Sequence, residues 1–357
     1  MPSFARHDAI GNHVLQLRGL LLSAGFESEI FFEYLDPRLA GQARHFEECD
    51  PAPDPERLIL YHASTHTEMT SWLVSASTRG QKVVLDYHNI TPAGFFAAWE
   101  PRAARSMELG RRQLAELAPH VADALADSSY NAGELRAFGI DAAVACPILL
   151  DLEAYHGAPT PAVSARLAAG GHPLWLFVGR VAPNKCQHDV IAAFAAYRRL
   201  YAPAGRLAIV GGATSGRYQA ALERMVDDLG VADAVDFAGS APFPDLLAYF
   251  GQADVFVCLS EHEGFCVPVI EAMELEVPVV AYAATAVTET VADAGVLLGD
   301  KDPLVVASAV DGLLSDRARR AAVVEAGKAR AASFSLAVTS ERWLAELRRV
   351  AGTGNLG

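Results

Sequence analysis

Residues 254–271 read Asp254-Val-Phe-Val-Cys-Leu-Ser-Glu261-His262-Glu263-Gly264-Phe265-Cys266-Val-Pro268-Val-Ile-Glu271. The apolar run Val255 to Leu259 has no polar alternation, which predicts a strand covered by helices on both faces. Pro268 opens a second apolar segment and predicts a helix with Glu271 in its first turn. Between them the loop holds Glu261 and Glu263, and Gly264 lets backbone approach a ligand. The amides of Gly264, Phe265 and Cys266 are then expected near a helix N-terminus, which suits an anion or a sugar oxygen. Glu263 and Glu271 flank that turn, and carboxylates accept hydrogen bonds in pairs, as the vicinal hydroxyls of a ribose or hexose require. Two glutamates eight apart are common by chance; the strand, loop and helix around these two give them meaning.

Working outward, the same pattern recurs. The second half offers strands at Leu174 to Val178, Arg206 to Val210, Ala234 to Ala238, Pro278 to Tyr282 and Val296 to Leu298. The first half offers Ile30 to Leu35, Leu58 to Ala63, Val83 to Tyr87, Val121 to Ala126 and Ala143 to Pro147. Short apolar runs alternating with longer helical segments predict an α/β protein of doubly wound parallel sheets. Strand period stops between Asp151 and Pro173, where three prolines and the pair Gly170-Gly171 cluster. This predicts domains of 1–150 and 151–333. The amphipathic segment 334–351 is expected to form a final helix that packs back on the first domain. Residues 1–9 lack an apolar run, so the leading strand of the first domain is expected to be irregular or missing.

The 357 residues suffice for two domains at roughly 100 to 200 residues each. A net charge of −14 excludes broad binding to nucleic acid or an anionic bilayer. Five scattered cysteines with no C-x-x-C pair suggest a reducing, cytoplasmic setting without a zinc motif. Uncharged stretches fall short of the ~18 to 20 residues of a membrane span, which leaves a surface helix as the route to peripheral attachment at the inner face of a membrane.

Other segments carry candidate chemistry. In Val178-Gly179-Arg180-Val-Ala-Pro183-Asn184-Lys185 a strand ends at a glycine, and two cations meet a helix start, the outline of a diphosphate site. Val210-Gly211-Gly212 resembles a strand-to-helix turn but lacks the G-x-G-x-x-G spacing of a dinucleotide fold. Phe237-Ala-Gly239-Ser240 is a strand end that could cover a base. In the first half, Asp8-Ala-Ile-Gly11-Asn12-His13 opens a helix and Asp86-Tyr87-His88-Asn89 ends a strand, the side where doubly wound sheets bind ligands. His13, His62, His66 and His188 read as structural. Asp300-Lys301-Asp302, the D-x-D of this chain, reads as a surface loop and not as a metal site.

The run Gly179-Arg180, Lys185, Ser260-Glu261 and Glu263-Gly-Phe-Cys-Val-Pro-Val-Ile-Glu271 resembles the donor-binding domain of the family-4 retaining glycosyltransferases (glycosyl transferases group 1). It does so over about Leu174 to Leu314. That resemblance implies the GT-B fold, two Rossmann-like domains facing across a cleft, with the acceptor side in the first and the nucleotide-sugar side in the second. It implies that Arg180 and Lys185 neutralise the donor diphosphate, that Glu271 binds ribose hydroxyls and that Glu263 binds the transferred sugar. Gly179, Gly211, Gly264, Phe265 and Cys266 would line the donor, Gly11 would approach its phosphates, and His88 would lie near the reacting sugar. The family pattern is E-G-F-G, so Cys266 places a side chain where glycine is usual. The implied reaction is retaining transfer of a hexose-type sugar to a sugar, glycan or lipid-linked acceptor, with no metal and no further cofactor. Acceptor contacts are expected at Thr65 to Met69 and Thr91 to Trp99, where Phe95, Phe96 and Trp99 either stack on a sugar or fill the core. Competing readings are an inactive nucleotide-sugar-binding protein of the same fold, and a GT-B disaccharide synthase or epimerase. A nicotinamide-linked oxidoreductase lacks its glycine fingerprint. Donor base, acceptor and oligomeric state are not encoded legibly.

Overall fold

The computed structural model describes residues 1–5, 9–50 and 52–352; Asp8 lies outside them. The chain forms two compact units. One comprises Met1–Gly94, Arg102–Asp151 and Phe334–Gly357, the other Phe95–Pro101 and Leu152–Ser333. The first therefore gathers the opening residues with the final helix, Leu336–Ala351. The seven-residue stretch Phe95–Pro101 departs from a boundary drawn near Leu150. It joins the second unit because Trp99 packs edge-on to Tyr218 with ring centroids 5.1 Å apart, and Ser215 Oγ donates to the Trp99 carbonyl at 3.2 Å.

In the second unit Leu174–Val178, Arg206–Val210, Val235–Gly239, Val255–Cys258, Val279–Tyr282 and Val296–Leu298 form one parallel sheet. Numbered along the chain, they stand in the order 3-2-1-4-5-6. The order reverses between Leu174–Val178 and Val255–Cys258, and their C-terminal ends open the crevice where doubly wound sheets take ligands. Both faces are dry: Trp175, Phe177, Leu207, Ile209 and Val257 pack with Val190, Phe194, Val306 and Val310, while the intervening Leu176, Ala208 and Phe256 are buried too. At roughly 1.5–3 kcal/mol for each large side chain, this burial holds the strand ends in place.

The first unit has a four-stranded parallel sheet of Leu58–Ala63, Lys82–Tyr87, Asp123–Ala126 and Val144–Ala145, adjacent in chain order. Two short parallel pairs accompany it, Ser3–Phe4 with Tyr34–Leu35 and Phe31–Phe32 with Arg44–His45. The leading strand is irregular, as the sequence allows: Ser3–Phe4 is two residues long and pairs with Tyr34–Leu35 outside the four-stranded sheet, and Phe4 is fully buried with Val14, Ile30 and Leu39. One expectation is corrected here. The strand expected over Ile30 to Leu35 breaks at Glu33, whose carboxylate accepts from Thr67 Oγ1 and from the Glu68 amide at 3.0 Å.

Trp343 anchors the final helix. Its ring is fully buried among Leu17, Leu125, Cys146 and Leu149, and Nε1 donates to the Pro147 carbonyl at 2.8 Å. Trp343→Ala is expected to destabilise the first unit by about 3–5 kcal/mol, from the lost aromatic and the cavity left behind. Urea unfolding followed by circular dichroism measures it, and a loss under about 1 kcal/mol would show that the helix is not integral to this unit.

Candidate functional site

The geometry at the reversal point follows from three glycines. Gly179, Gly211 and Gly239 end the first three strands with φ of 145°, 148° and 65°. The backbone ladder continues through them, with Gly179 N donating to Val210 O at 2.9 Å and Gly211 N to Gly239 O at 2.8 Å. A Cβ on Gly211 would stand 2.0 Å from the Gly179 carbonyl oxygen, so this position admits no side chain. The close backbone packing fixes the path of the chain into Arg180 and the turn Pro183–Lys185.

That turn meets the loop after Val255–Cys258. The Glu261 amide donates to the Asn184 carbonyl at 3.0 Å, and Asn184 Nδ2 donates to the His262 carbonyl at 3.0 Å. Lys185 Nζ then pairs with the buried Glu263 carboxylate. Behind the loop, Thr285 Oγ1 accepts from the Glu263 amide at 2.9 Å, and Thr290 Oγ1 donates to the Phe265 carbonyl at 2.5 Å. Cys266 has φ 75° and ψ 65°, the left-handed region where glycine is at ease and other residues are strained. The backbone thus asks for glycine at the one position where this chain departs from E-G-F-G. The helix Val267–Glu274 follows directly and starts one residue before Pro268, so Glu271, expected in its first turn, lies just past it.

Glu271 sits on that helix, buried, with Tyr155 Oη donating to its Oε1. Burial raises its pKa from 4.5 to about 7, the Tyr155 bond opposing the shift. Arg180 is exposed, its carbonyl accepting from Gln187 Nε2 at 2.9 Å. Asp302 caps the helix Pro303–Ser315 by accepting from the Leu304 amide, and Lys301 bridges Asp189 and Glu261 at 2.5 Å each, so the D-x-D does structural work.

The first unit holds a cluster that motif reading missed. His62 Nδ1, His88 Nε2 and His13 Nε2 lie 2.8, 3.1 and 3.2 Å from one oxygen, Asp86 Oδ2. The Leu149 amide donates to His13 Nδ1 at 3.0 Å, so that nitrogen carries no hydrogen and Nε2 is the donor to Asp86. His13 thereby has no lone pair left for a metal ion. His88 Nδ1 donates to Asp127 at 2.9 Å. Burial opposes a charge on His88, but the carboxylates of Asp127 and Asp86 outweigh it and raise its pKa well above the usual histidine value. His62, buried with one shared carboxylate, is lowered to about 4 and stays neutral. His13 and His62 are therefore part of a buried charge network rather than isolated structural residues. His88, expected beside a reacting sugar, has both ring nitrogens engaged within its own unit, directly before the loop that follows the strand Lys82–Tyr87. That loop turns at Asn89, φ 73°, whose Nδ2 donates to Asn131 Oδ1 at 2.8 Å.

Other expected contacts fare differently. Gly11 lies in the first turn of its helix, where a Cβ would come 2.5 Å from the Ala5 carbonyl oxygen, so packing excludes a side chain there. Thr67, Met69 and Phe96, within the segments expected to meet an acceptor, are buried. Phe95 and Trp99 belong to the second unit. His66 and His188 bond Ser106 at 2.6 Å and Tyr218 at 2.8 Å, as structural residues do.

Residues 163–330 match glycosyl transferases group 1. The chain carries a group 1 glycosyl transferase domain. This domain contains Gly179, Arg180, Lys185, Gly211, Glu263 and Glu271. The chain is 36% identical over 184 residues to the GDP-mannose-dependent alpha-(1-6)-phosphatidylinositol monomannoside mannosyltransferase of Mycolicibacterium smegmatis, covering 48% of this chain and 47% of that protein. It is 31% identical over 242 residues to the D-inositol 3-phosphate glycosyltransferase of Nocardia farcinica, covering 66% and 54%. The chain thus spans about half the length of the curated relatives it matches. Beyond the group 1 domain, the fold is similar to that of HepE from Anabaena, solved with UDP and glucose, at TM-score 0.74 and 17% identity over 97% of this chain and 99% of that one. Sucrose-phosphate synthase from Thermosynechococcus elongatus gives TM-score 0.74 at 19% identity over 99% and 96%. The fold class is GT-B, with two Rossmann-like domains. Among the described residues no helix is long and apolar enough to cross a membrane.

Two measurements check the electrostatics. Because the proton is bound more tightly to Glu271 in the folded state, stability is expected to fall as pH rises from about 4.5 to about 7. Glu271→Gln removes this term and should be more stable than the parent at pH 8 by about 1–3 kcal/mol, with little difference at pH 5. Parallel stability curves would show that the carboxyl is ionised without cost. For the histidine cluster, Asp127→Asn is expected to lower the His88 pKa by roughly 1–3 pH units by side-chain NMR titration, leaving His62 neutral above pH 5. An unmoved His88 would remove Asp127 from the network.

Proposed function

We propose that the protein is a retaining glycosyltransferase that moves a hexose-type sugar from a nucleoside diphosphate sugar to a hydroxyl of a sugar, glycan or lipid-linked acceptor, without a divalent metal, in the cytoplasm. The observation that carries this reading is the Lys185–Glu263 pair at the reversal point of a 3-2-1-4-5-6 sheet. With the donor absent, a cation suited to a diphosphate and a carboxylate suited to sugar hydroxyls satisfy each other. Glu271, suited to a ribose, is satisfied by Tyr155. Both arrangements open when a ligand offers better partners. The names of the relatives support the substrate class, one using GDP-mannose and another acting on an inositol phosphate, while the structural neighbour HepE holds UDP and glucose.

In this mechanism Arg180 and Lys185 stabilise the charge that develops on the leaving diphosphate. The acceptor oxygen bonds to the anomeric carbon on the face from which the diphosphate departs, as an oxocarbenium-like state forms. The carbon–oxygen bond to phosphate breaks, and the acceptor proton passes to a diphosphate oxygen. Glu263 holds the sugar by its hydroxyls, and the amides of Gly264 to Cys266 contribute hydrogen bonds. His88 acts by positioning the loop Asn89 begins.

Release of nucleoside diphosphate from a panel of UDP-, GDP-, ADP- and TDP-sugars in the presence of EDTA tests the reading. Turnover with one donor is expected, and Lys185→Ala should lower it by roughly 10²-fold or more. Loss in EDTA restored by magnesium would overturn metal independence. An effect of the variant below about threefold would remove Lys185 from the reaction, and silence of folded protein across the panel would favour a binding protein that has lost catalysis.

A further inference from the structure

Cys258 and Cys266 are eight residues apart, both buried, with their sulfur atoms 3.8 Å apart. Cys258 is the last residue of a central strand, paired with Ala281 on the neighbouring strand. Cys266 stands in a strained left-handed conformation directly before the helix Val267–Glu274. The two sulfurs thus clamp the ends of the loop that carries Glu261, Glu263, Gly264 and Phe265. A disulfide needs a sulfur separation of about 2.05 Å, so closing the remaining gap takes a small shift at Cys266 and side-chain rotation. Glu263 also lies near both sulfurs, but it is held by Lys185, so the trio is not an open metal site.

We propose that Cys258 and Cys266 form a reversible disulfide on exposure to a peroxide, and that the bond locks the Glu261–Cys266 loop in a form unable to take a nucleotide; the second half of this statement rests on the donor site proposed above. Ser260 Oγ lies 3.4 Å from the Cys258 sulfur, and the contact between the two sulfurs lowers the pKa of Cys258 while, with burial, it raises that of Cys266, so the oxidation is written from Cys258. Its thiolate attacks the peroxide: the O–O bond breaks, an S–O bond forms, and the hydroxide released becomes water by taking a proton. The Cys266 sulfur then attacks the sulfenic sulfur. An S–S bond forms, the S–O bond breaks, and the hydroxyl leaves with the Cys266 proton as a second water. Two thiols are oxidised and one peroxide is reduced. The locked loop holds Glu263 against Lys185, and the donor cannot separate them. Glycine, the residue the backbone prefers at 266, has no such chemistry, so the same substitution that strains the turn supplies the switch.

The test treats the whole reduced protein with hydrogen peroxide, blocks remaining thiols and maps peptides by mass spectrometry. The expected product is a Cys258–Cys266 cross-link, two hydrogens lighter than the reduced pair, removed by dithiothreitol and absent from Cys258→Ser. Both cysteines recovered as free thiols, or each separately as sulfinic or sulfonic acid, would overturn the proposal. The thermal shift given by UDP or GDP is then compared before and after oxidation. At least a tenfold loss of affinity that dithiothreitol reverses is expected, and unchanged affinity in the cross-linked protein would overturn the locking step. The cross-link is read on the protein alone, so failure of the reduced chain to bind any nucleotide counts against the donor site and not against the disulfide.

Discussion

The ion pair between Lys185 and Glu263 is the interaction around which the second unit is organised. Glu263 is buried, and a buried carboxylate without a partner is costly, so the loop bearing it must be delivered to a cation. Delivery depends on two strands that are far apart in sequence and adjacent in the sheet. The chain reaches Lys185 through the glycine ladder after the first strand and reaches Glu263 through the loop after the fourth. Asn184, beside Lys185, holds that loop at two points, its carbonyl accepting from the Glu261 amide and its side chain donating to the His262 carbonyl. Such a pair adds little net stability, because desolvation offsets much of the attraction. In the proposed function it keeps a charge of each sign at one place, where a nucleotide sugar would separate them.

The same principle recurs in the first unit, where Asp86 and Asp127 hold a charged His88 between them and two neutral histidines complete the shell. Charge is buried there only because every member has a partner, and removing one partner exposes the rest to the full desolvation cost. Both units thus place paired charges at the C-terminal ends of parallel strands, the edge where the alternating connections leave room for them.

The second sheet was legible in the sequence because its strands are buried on both faces and read as uninterrupted apolar runs. The first unit was harder. Ser3–Phe4 is too short to carry a pattern, and the strand broken at Glu33 is interrupted by a side-chain contact to Thr67 that periodicity cannot show. In the candidate site, Lys185, Glu263 and Glu271 were marked by their place after strands. The roles of Tyr155 and of His13 were not, since each meets its partner across more than seventy residues. One signal for the histidine cluster was present. His62 and Asp86 are each the penultimate residue of a strand and are register partners in the parallel sheet, a pairing that strand alignment alone would have brought together. Cys266 was legible as a departure from glycine, and the left-handed backbone supplies the reason that glycine is the usual residue.

The proposed function requires the reversal point of the second sheet to receive the diphosphate of a nucleotide. In a crystal structure of the protein with UDP or GDP the diphosphate is expected between Arg180, Lys185 and the Gly264–Cys266 turn, with the ribose on Glu271 and the Lys185–Glu263 pair separated. A nucleotide bound elsewhere, or bound here with that pair intact, would contradict it.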